Sequence, residues 1–402
     1  MTLLLPLRYP GRISTILSLI VFLNTGLFSF ILIFFPLYAE SLGCNPSEIG
    51  ILMVLVILAT TAGHPLFLVL SVDYVTPRTL VISGSILSAG VFILMLYVNN
   101  LTMLGLLIFT FVLLKVGTSA LFDFDILRRS AHGELRFERV RIWGSIGFIA
   151  LGALLGILSD QFGIIDATKI FLIIVIIQSM LCVFFSNLLE TRHSNRKGSL
   201  SPFNGKIFLQ SKIFWLFISV ALNWLAHAPF YVYLSLYLQA IGWNSTEISI
   251  AWNTGVLGEV LLFLFFIRLE LRYSLSLLFI FGMFSTFLRL IIIANFASAS
   301  LILFSQTLHA FSFGLCYLTS VRLCYDWFPE YLKEKSQAAL SLIGVGLGGV
   351  VGRILVSYIA RDYKDYQECI NLFWIGSVFA LMGTITAYLS ARASKRELIN
   401  NS

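Results

Sequence analysis

The fold the sequence predicts is an all-α polytopic membrane protein: twelve transmembrane helices in two parallel six-helix repeats. Three observations predict it. The 402 residues are 58% hydrophobic and only 12% charged, with a mean hydropathy of +0.92; a soluble domain is about 45–50% apolar and 25% charged. Apolar runs of bilayer length recur twelve times along the chain. A fifteen-residue segment recurs at an offset of 199.

About twenty helical residues cross a hydrocarbon core of about 30 Å. Runs of that length fall near 13–38, 48–70, 79–98, 101–127, 140–159 and 168–188. The polar stretch LETRHSNRKGSLSPFNGKIFLQSK follows, and six more runs lie near 213–239, 247–268, 273–295, 299–325, 338–360 and 369–391. The expected organisation is a six-helix bundle over 1–188, a cytoplasmic central loop over 189–212 and a second bundle over 213–402. The first run, Ile13 to Leu37, is too long for a signal-peptide core and has no small-x-small cleavage site, so it reads as a retained span.

The basic residues orient the spans. With the N-terminus cytoplasmic, nineteen of the 27 Lys and Arg fall in inside loops and termini, three in outside loops and five within spans. Such a bias sets membrane topology. Both termini and the central loop are therefore expected in the cytoplasm, and the pI near 9.2 is a topology signal, not a mark of nucleic-acid binding. The five cysteines form no CxxC or CxxH pattern, HExxH is absent and the five histidines are scattered, so no metal site or cofactor is expected. Cys44 and Cys369 are expected in loops on the outer face.

The repeat is LYAESLGCNPSEIGI (37–51) against LYLQAIGWNSTEISI (236–250), with seven identities in fifteen. An even number of helices per half gives both halves one orientation, a parallel repeat. The repeat explains two of the acidic residues: Asn45 and Asn244 can cap helices, with Glu48 and Glu247 at the third helical position. It does not explain Glu259, the twelfth residue of ISIAWNTGVLGEVLLFLFFI (248–267), whose repeat mate is Thr60. A charge at mid-bilayer costs at least roughly 2.5–3.5 kcal/mol, so a functional carboxylate is expected there.

Counting about 1.5 Å per residue from the outer end of each span puts other polar groups near its level. They are His227 on the seventh run, Arg289 on the ninth and His309 on the tenth. A carboxylate, a guanidinium and two imidazoles at one depth point to a proton relay. Trp252, seven residues before Glu259 on the same helical face, can supply an aromatic platform. In the first half, Asp123 and Arg141 share a depth on consecutive helices and can pair, as a structural ion pair or as a substrate clamp. Asp125, two residues on and roughly 200° round the helix, reads as an end-of-helix charge. The spans hold five basic residues (Lys115, Arg141, Arg289, Arg322 and Arg353) and three acidic ones, so a cavity among them leans positive and favours an anion or a polyol. Arg322 is expected to snorkel or to pin the next loop. IGVGLGGVVG (343–352) has GxxxG spacing suited to close helix packing.

RFERVRIWGSIGFI resembles the helix 5 entry of the lactose-permease-like major facilitators, and LAHAPFYVYLSLYLQAIGWNSTEISIAWNTGVLGEV is similar to the bacterial 3-phenylpropionate permeases. The resemblance covers most of the chain. It implies the major facilitator fold and a proton-coupled symporter of the inner membrane. Carried over residue by residue, it implies that Asp123 and Arg141 bind solute and that Glu259, Arg289 and His309 form the proton site. The second carboxylate of that site is replaced by Ser312, which concentrates the proton on Glu259, and the sugar-stacking tryptophan by Phe148, which argues against a galactoside. The general facilitator motif between helices 2 and 3 survives loosely, as Asp73 and Arg78.

The expected activity is therefore import of a small solute with protons, with no enzymatic step. An aromatic or other small organic anion is the first choice of solute and a sugar or nucleoside the second. Proton-driven drug efflux shares the fold, and a membrane receptor or scaffold would leave the mid-membrane charges unexplained. The expected partners are the solute, protons and the lipid bilayer, with a monomer as the working unit.

Overall fold

The structure, a computed structural model, describes residues 11–189, 205–363 and 365–401; most of the central loop and the side chain of Asp73 lie outside the described residues. Twelve helices are long and apolar enough to span a bilayer, and no strand occurs among the described residues. They are α1 (Arg12–Ser41), α2 (Pro46–Val72), α3 (Pro77–Met95), α4 (Leu101–Ala131), α5 (Phe137–Phe162) and α6 (Ile164–Leu188), then α7 (Ser211–Ala240), α8 (Ser245–Arg272), α9 (Leu275–Asn295), α10 (Ala299–Trp327), α11 (Glu330–Ala360) and α12 (Ile370–Glu397). All twelve predicted runs are helices, and the protein is a multi-pass membrane protein.

Local chemistry sets several of their starts. Asn45 Oδ1 accepts from Glu48 N at 3.0 Å while Glu48 Oε2 accepts from Asn45 N at 2.8 Å. Asn244 and Glu247 repeat the arrangement at 2.9 Å each way. These reciprocal caps satisfy backbone donors that a helix start leaves free. Thr76, Asn100 and Ser274 cap α3, α4 and α9 in the simpler way. Ahead of the two reciprocal caps, Gly43 and Gly242 adopt φ of 90° and 98°, a left-handed turn that a side chain would strain.

The chain forms two compact units. The first comprises residues 1–38 and 59–196. In it α1 and α5 meet at a small-residue seam: a Cβ on Gly147 would collide with the Phe22 carbonyl, and one on Gly144 would come within 2.8 Å of Thr25 Oγ1. An apolar core of Leu17, Val21, Phe67, Val81, Phe122 and Val140 fills its interior. Large apolar side chains such as Ile173, Met180 and Phe184 of α6 stay exposed, as a lipid-facing surface requires.

The second unit comprises residues 39–58 and 197–402. Gly344, Gly348 and Gly352 of α11 lie against α7 at Trp224, Ala221 and Leu225, so the predicted GxxxG face does pack a helix closely. Within this unit residues 39–58 are held through their backbone. Tyr366 Oη donates to Cys44 O at 2.7 Å, Tyr233 Oη to Pro46 O at 2.8 Å and Ser357 Oγ to Ser47 O at 2.9 Å. Gln239 Nε2 donates to Glu40 Oε2 at 2.8 Å, joining residues at equivalent repeat positions.

Four spans are locally irregular, among them those of His227, His309 and Arg353. α1, α10 and α11 each contain a π-helical turn, at Phe30–Phe34, Ala310–Leu315 and Leu342–Gly348. α7 breaks at His227, between Ser211–Ala226 and Ala228–Ala240, where Pro229 has no N–H to continue the ladder. Such interruptions often mark functional positions.

Candidate transport site

Three of the predicted proton residues meet within the second unit. Glu259 Oε2 lies 3.9 Å from His309 Nε2. His309 Nδ1 lies 3.0 Å from Arg289 Nη1, and Arg289 Nη2 donates to Gln306 Oε1 at 2.6 Å. A guanidinium has donors only, so His309 Nδ1 must be the acceptor of that contact. In neutral His309 the proton therefore sits on Nε2, on the side of the carboxylate. The sequence expectation came from depth; the structure adds that α8, α9 and α10 turn these faces toward one another. The π-helical turn begins directly after His309, and Gly255 lets α8 approach it: a Cβ there would lie 3.2 Å from His309 Cβ.

His227 and Trp252 join the cluster through rings. Arg289 Cζ sits 3.9 Å from the Phe230 ring centroid. His227 lies 6.2 Å from both Phe230 and Tyr231. Tyr231 in turn lies 6.2 Å from Trp252, which donates its Nε1–H to Ser235 Oγ at 3.0 Å. His227 Nδ1 is 2.8 Å from Asn223 O, a carbonyl, so Nδ1 carries a proton and Nε2 is left buried without a hydrogen-bond partner. Beside this cluster a cavity of about 190 Å³ is lined by Asn223, Trp224, Phe313 and Tyr317 among others. Phe313 stacks on His309 at 5.2 Å.

The predicted residues of the first half lie in the first unit and form a looser group. Asp123 is half-buried and Arg141 exposed, and no ion pair joins them within 4.0 Å. Asp123 has Ser119, His64 and Arg141 as polar neighbours. The predicted direct pair is thus a neighbourhood, because Arg141 extends along the unit's surface beside Gly144 and Thr25. Phe148, expected as a ring face, is 5% exposed and serves packing in this conformation. Asp125, read as an end-of-helix charge, is buried. It accepts from Arg129 Nε at 2.7 Å and Arg128 Nη2 at 2.8 Å, and Arg129 also holds Glu134 and the Leu188 carbonyl. Arg322 pins a neighbouring span rather than the next loop, through Glu270 at 2.8–2.9 Å.

Three residues of these sites escaped the sequence reading, His64, Tyr231 and Gln306, and Arg353 was read as a span residue without a partner. Gln306 stands three residues before His309 and Tyr231 four after His227, the spacings at which helix neighbours share a face. Those spacings could have found them. Nothing local singles out His64 or the surroundings of Arg353.

The family described as "MFS_1 like family" matches residues 14–370. The chain belongs to that family, within the major facilitator superfamily. Among curated proteins it is similar to the "Probable 3-phenylpropionic acid transporter" of Escherichia coli (strain K12), 24% identical over 61% of this chain and 63% of that protein. It is also similar to the "Putative nucleoside transporter YegT" of the same organism, 23% identical over 59% of each chain. The alignments thus span about three fifths of these relatives. Among solved structures it resembles the nucleoside transporter NupG, with a TM-score of 0.78 at 17% identity over 96% of this chain and 99% of that one. It also resembles a bacterial homologue of the iron transporter ferroportin, with a TM-score of 0.74 at 15% identity over 95% and 100%. These structures share the fold. Family and neighbours are transporters, not enzymes.

Proposed function

We propose that this protein is a proton-coupled symporter that imports a small organic anion, with an aromatic carboxylate as the preferred class. The observation that carries the reading is the chain Glu259–His309–Arg289–Gln306 within the second unit. Its carboxylate is held 3.9 Å from an imidazole Nε2–H, itself bonded to a guanidinium. Ionised Glu259 is drawn to His309 and Arg289; protonated Glu259 loses that attraction. Protonation and a rearrangement of α8 against α10 are therefore coupled, which is what a cycle of proton uptake and release needs. The likeness to a probable phenylpropionic acid transporter and the rings around Tyr231 support the solute class. The inner membrane, cytoplasmic termini and a monomeric working unit complete the reading; the nineteen basic residues on one side of the spans support the orientation.

Asp123 and Arg141, with His64, are assigned as the first unit's solute contacts. A nucleoside is the second reading, favoured by the likeness to the putative nucleoside transporter.

The test is the direction of proton movement. Adding 3-phenylpropionate to weakly buffered cells that express the protein should alkalinise the medium, because solute and proton enter together. Acidification would make the protein an antiporter. No solute-dependent change with any aromatic acid, together with a response to nucleosides, would replace the anion by the second reading.

A further inference from the structure

Of the five basic residues that the sequence reading places within the spans, the structure accounts for four. Lys115 donates to Gln178 Oε1 inside the first unit. Arg141 lies beside Asp123. Arg289 bonds His309 and Gln306. Arg322 pairs with Glu270. Arg353 is the exception. It is 3% exposed, and its one hydrogen bond runs to the Gly349 carbonyl of its own helix, at 3.1 Å. Its Nε is buried without a partner, and among the described residues no carboxylate lies within 4.0 Å of it.

A buried guanidinium in that state is unfavourable by itself. Charged groups withdrawn from water are stable when paired, and a planar guanidinium matches a carboxylate with two parallel N–H···O bonds. Nearby partners supply only part of what water supplied: Arg353 Cζ lies 5.3 Å from the Tyr231 ring centroid, a cation–π contact. Tyr231 is also the hub of an aromatic wall. Trp224 stacks against it at 6.3 Å and 19°, and Trp252 and His227 flank it at 6.2 Å each. Trp224 and Tyr231 are half-buried, so part of each ring surface is open, and Trp224 also lines the 190 Å³ cavity. Two further atoms of this neighbourhood are buried without a hydrogen-bond partner, Arg289 Nε and His227 Nε2, and the latter is an acceptor when the ring is neutral.

We infer that Arg353 and the Trp224–Tyr231 wall form a binding site for an aromatic carboxylate, the guanidinium taking the carboxylate and the indole and phenol faces taking the ring. The inference rests on the symport reading above and assigns its anion recognition to the second unit. Arg289 is already engaged by the proton chain, which leaves Arg353 to the solute. Arg353 is a binding residue, and Trp224 and Tyr231 set the preference for a flat ring.

The purified full-length protein in nanodiscs decides the matter by calorimetric titration with 3-phenylpropionate and its uncharged amide. Wild type should bind the acid more tightly. Arg353→Gln should weaken the acid by roughly thirtyfold or more, the scale expected when a desolvated charge loses its partner, and leave the amide unchanged. Arg353→Lys keeps the charge but loses the planar fork. It should weaken the acid alone, by a smaller factor, and it decides the question should Arg353→Gln fail to fold. Trp224→Ala should weaken both ligands. Unchanged acid binding in the Arg353 variants, or equal loss of acid and amide, would overturn the site while leaving the anion symport reading intact. Wild type that binds neither ligand, or both equally, would overturn the anion reading together with the site.

Discussion

Glu259 stands apart because two residue-scale facts coincide at it. Its repeat mate is Thr60, so helix architecture does not require an acid there, and its carboxylate faces the Nε2–H of His309 at 3.9 Å. Glu259→Gln keeps the side-chain volume and removes the titration. One proton per solute couples a pH unit to about tenfold accumulation, since a pH unit is worth 1.36 kcal/mol. In vesicles with an imposed gradient the variant should therefore fall from about tenfold accumulation per pH unit to none, while counterflow exchange of solute persists. Accumulation at the wild-type level would remove Glu259 from the proton route. His309→Asn, which keeps a hydrogen-bonding group but cannot take up charge, should lower accumulation as well. Both assays use the same vesicles, so the ratio of accumulation to exchange separates coupling from expression.

At the scale of the helix, spans of uniform hydropathy differ in their local geometry. α7 breaks at His227 and a π turn follows His309, so both imidazoles sit where the backbone ladder is interrupted. α11 carries a π turn over Leu342–Gly348, five residues short of Arg353, and packs its glycines on α7. The seam has no room: a Cβ on Gly348 would meet the Ala221 carbonyl, which is backbone and cannot turn aside. Gly348→Ala should therefore destabilise by about 1–3 kcal/mol, the usual penalty of overpacking, and lower the Tm of the detergent-solubilised protein. Gly90→Ala is the control, since a Cβ there meets nothing within 4 Å. It should be neutral or slightly stabilising, because alanine favours a helix interior more than glycine does. Equal Tm values for the two variants would mean that α11 does not rely on this close approach.

At the scale of the whole molecule, the proposed topology puts the loop of Cys44 on the outer face. Cys44 is half-buried, whereas Cys182, Cys316, Cys324 and Cys369 are buried. Burial, with the nearby Glu48 carboxylate adding to it, raises the Cys44 thiol above its ordinary value. A raised thiol is less ionised at a given pH, and the thiolate is the reactive form. A membrane-impermeant maleimide applied to intact cells should label this one cysteine, more slowly than an exposed thiol at pH 7.5 and faster as pH rises. Protection from outside, with labelling only in inverted membranes, would reverse the orientation. The segment 39–58 is held by the hydroxyls of Tyr233, Tyr366 and Ser357, each donating to a backbone carbonyl between Cys44 and Ser47. Tyr233→Phe removes one such bond, about 1 kcal/mol, and should raise the Cys44 labelling rate several-fold.

Composition, run length and the 199-residue repeat determined the twelve spans, because a bilayer demands long apolar helices and leaves no other option for a chain this apolar. The caps at Asn45 and Asn244 were legible for the same local reason: their partners lie three residues away. Depth along a span is also local, which is why counting residues brought Glu259, Arg289 and His309 to one level. The direction in which a side chain points from its helix, and what meets it there, depend on packing between helices far apart in sequence. Only tertiary structure could therefore decide that Arg322 meets Glu270, that Arg129 beside Asp125 reaches the Leu188 carbonyl, and that Asp123 and Arg141 are neighbours without pairing. It alone placed Arg353 beside Tyr231, because α7 and α11 approach one another where glycines let two backbones come close.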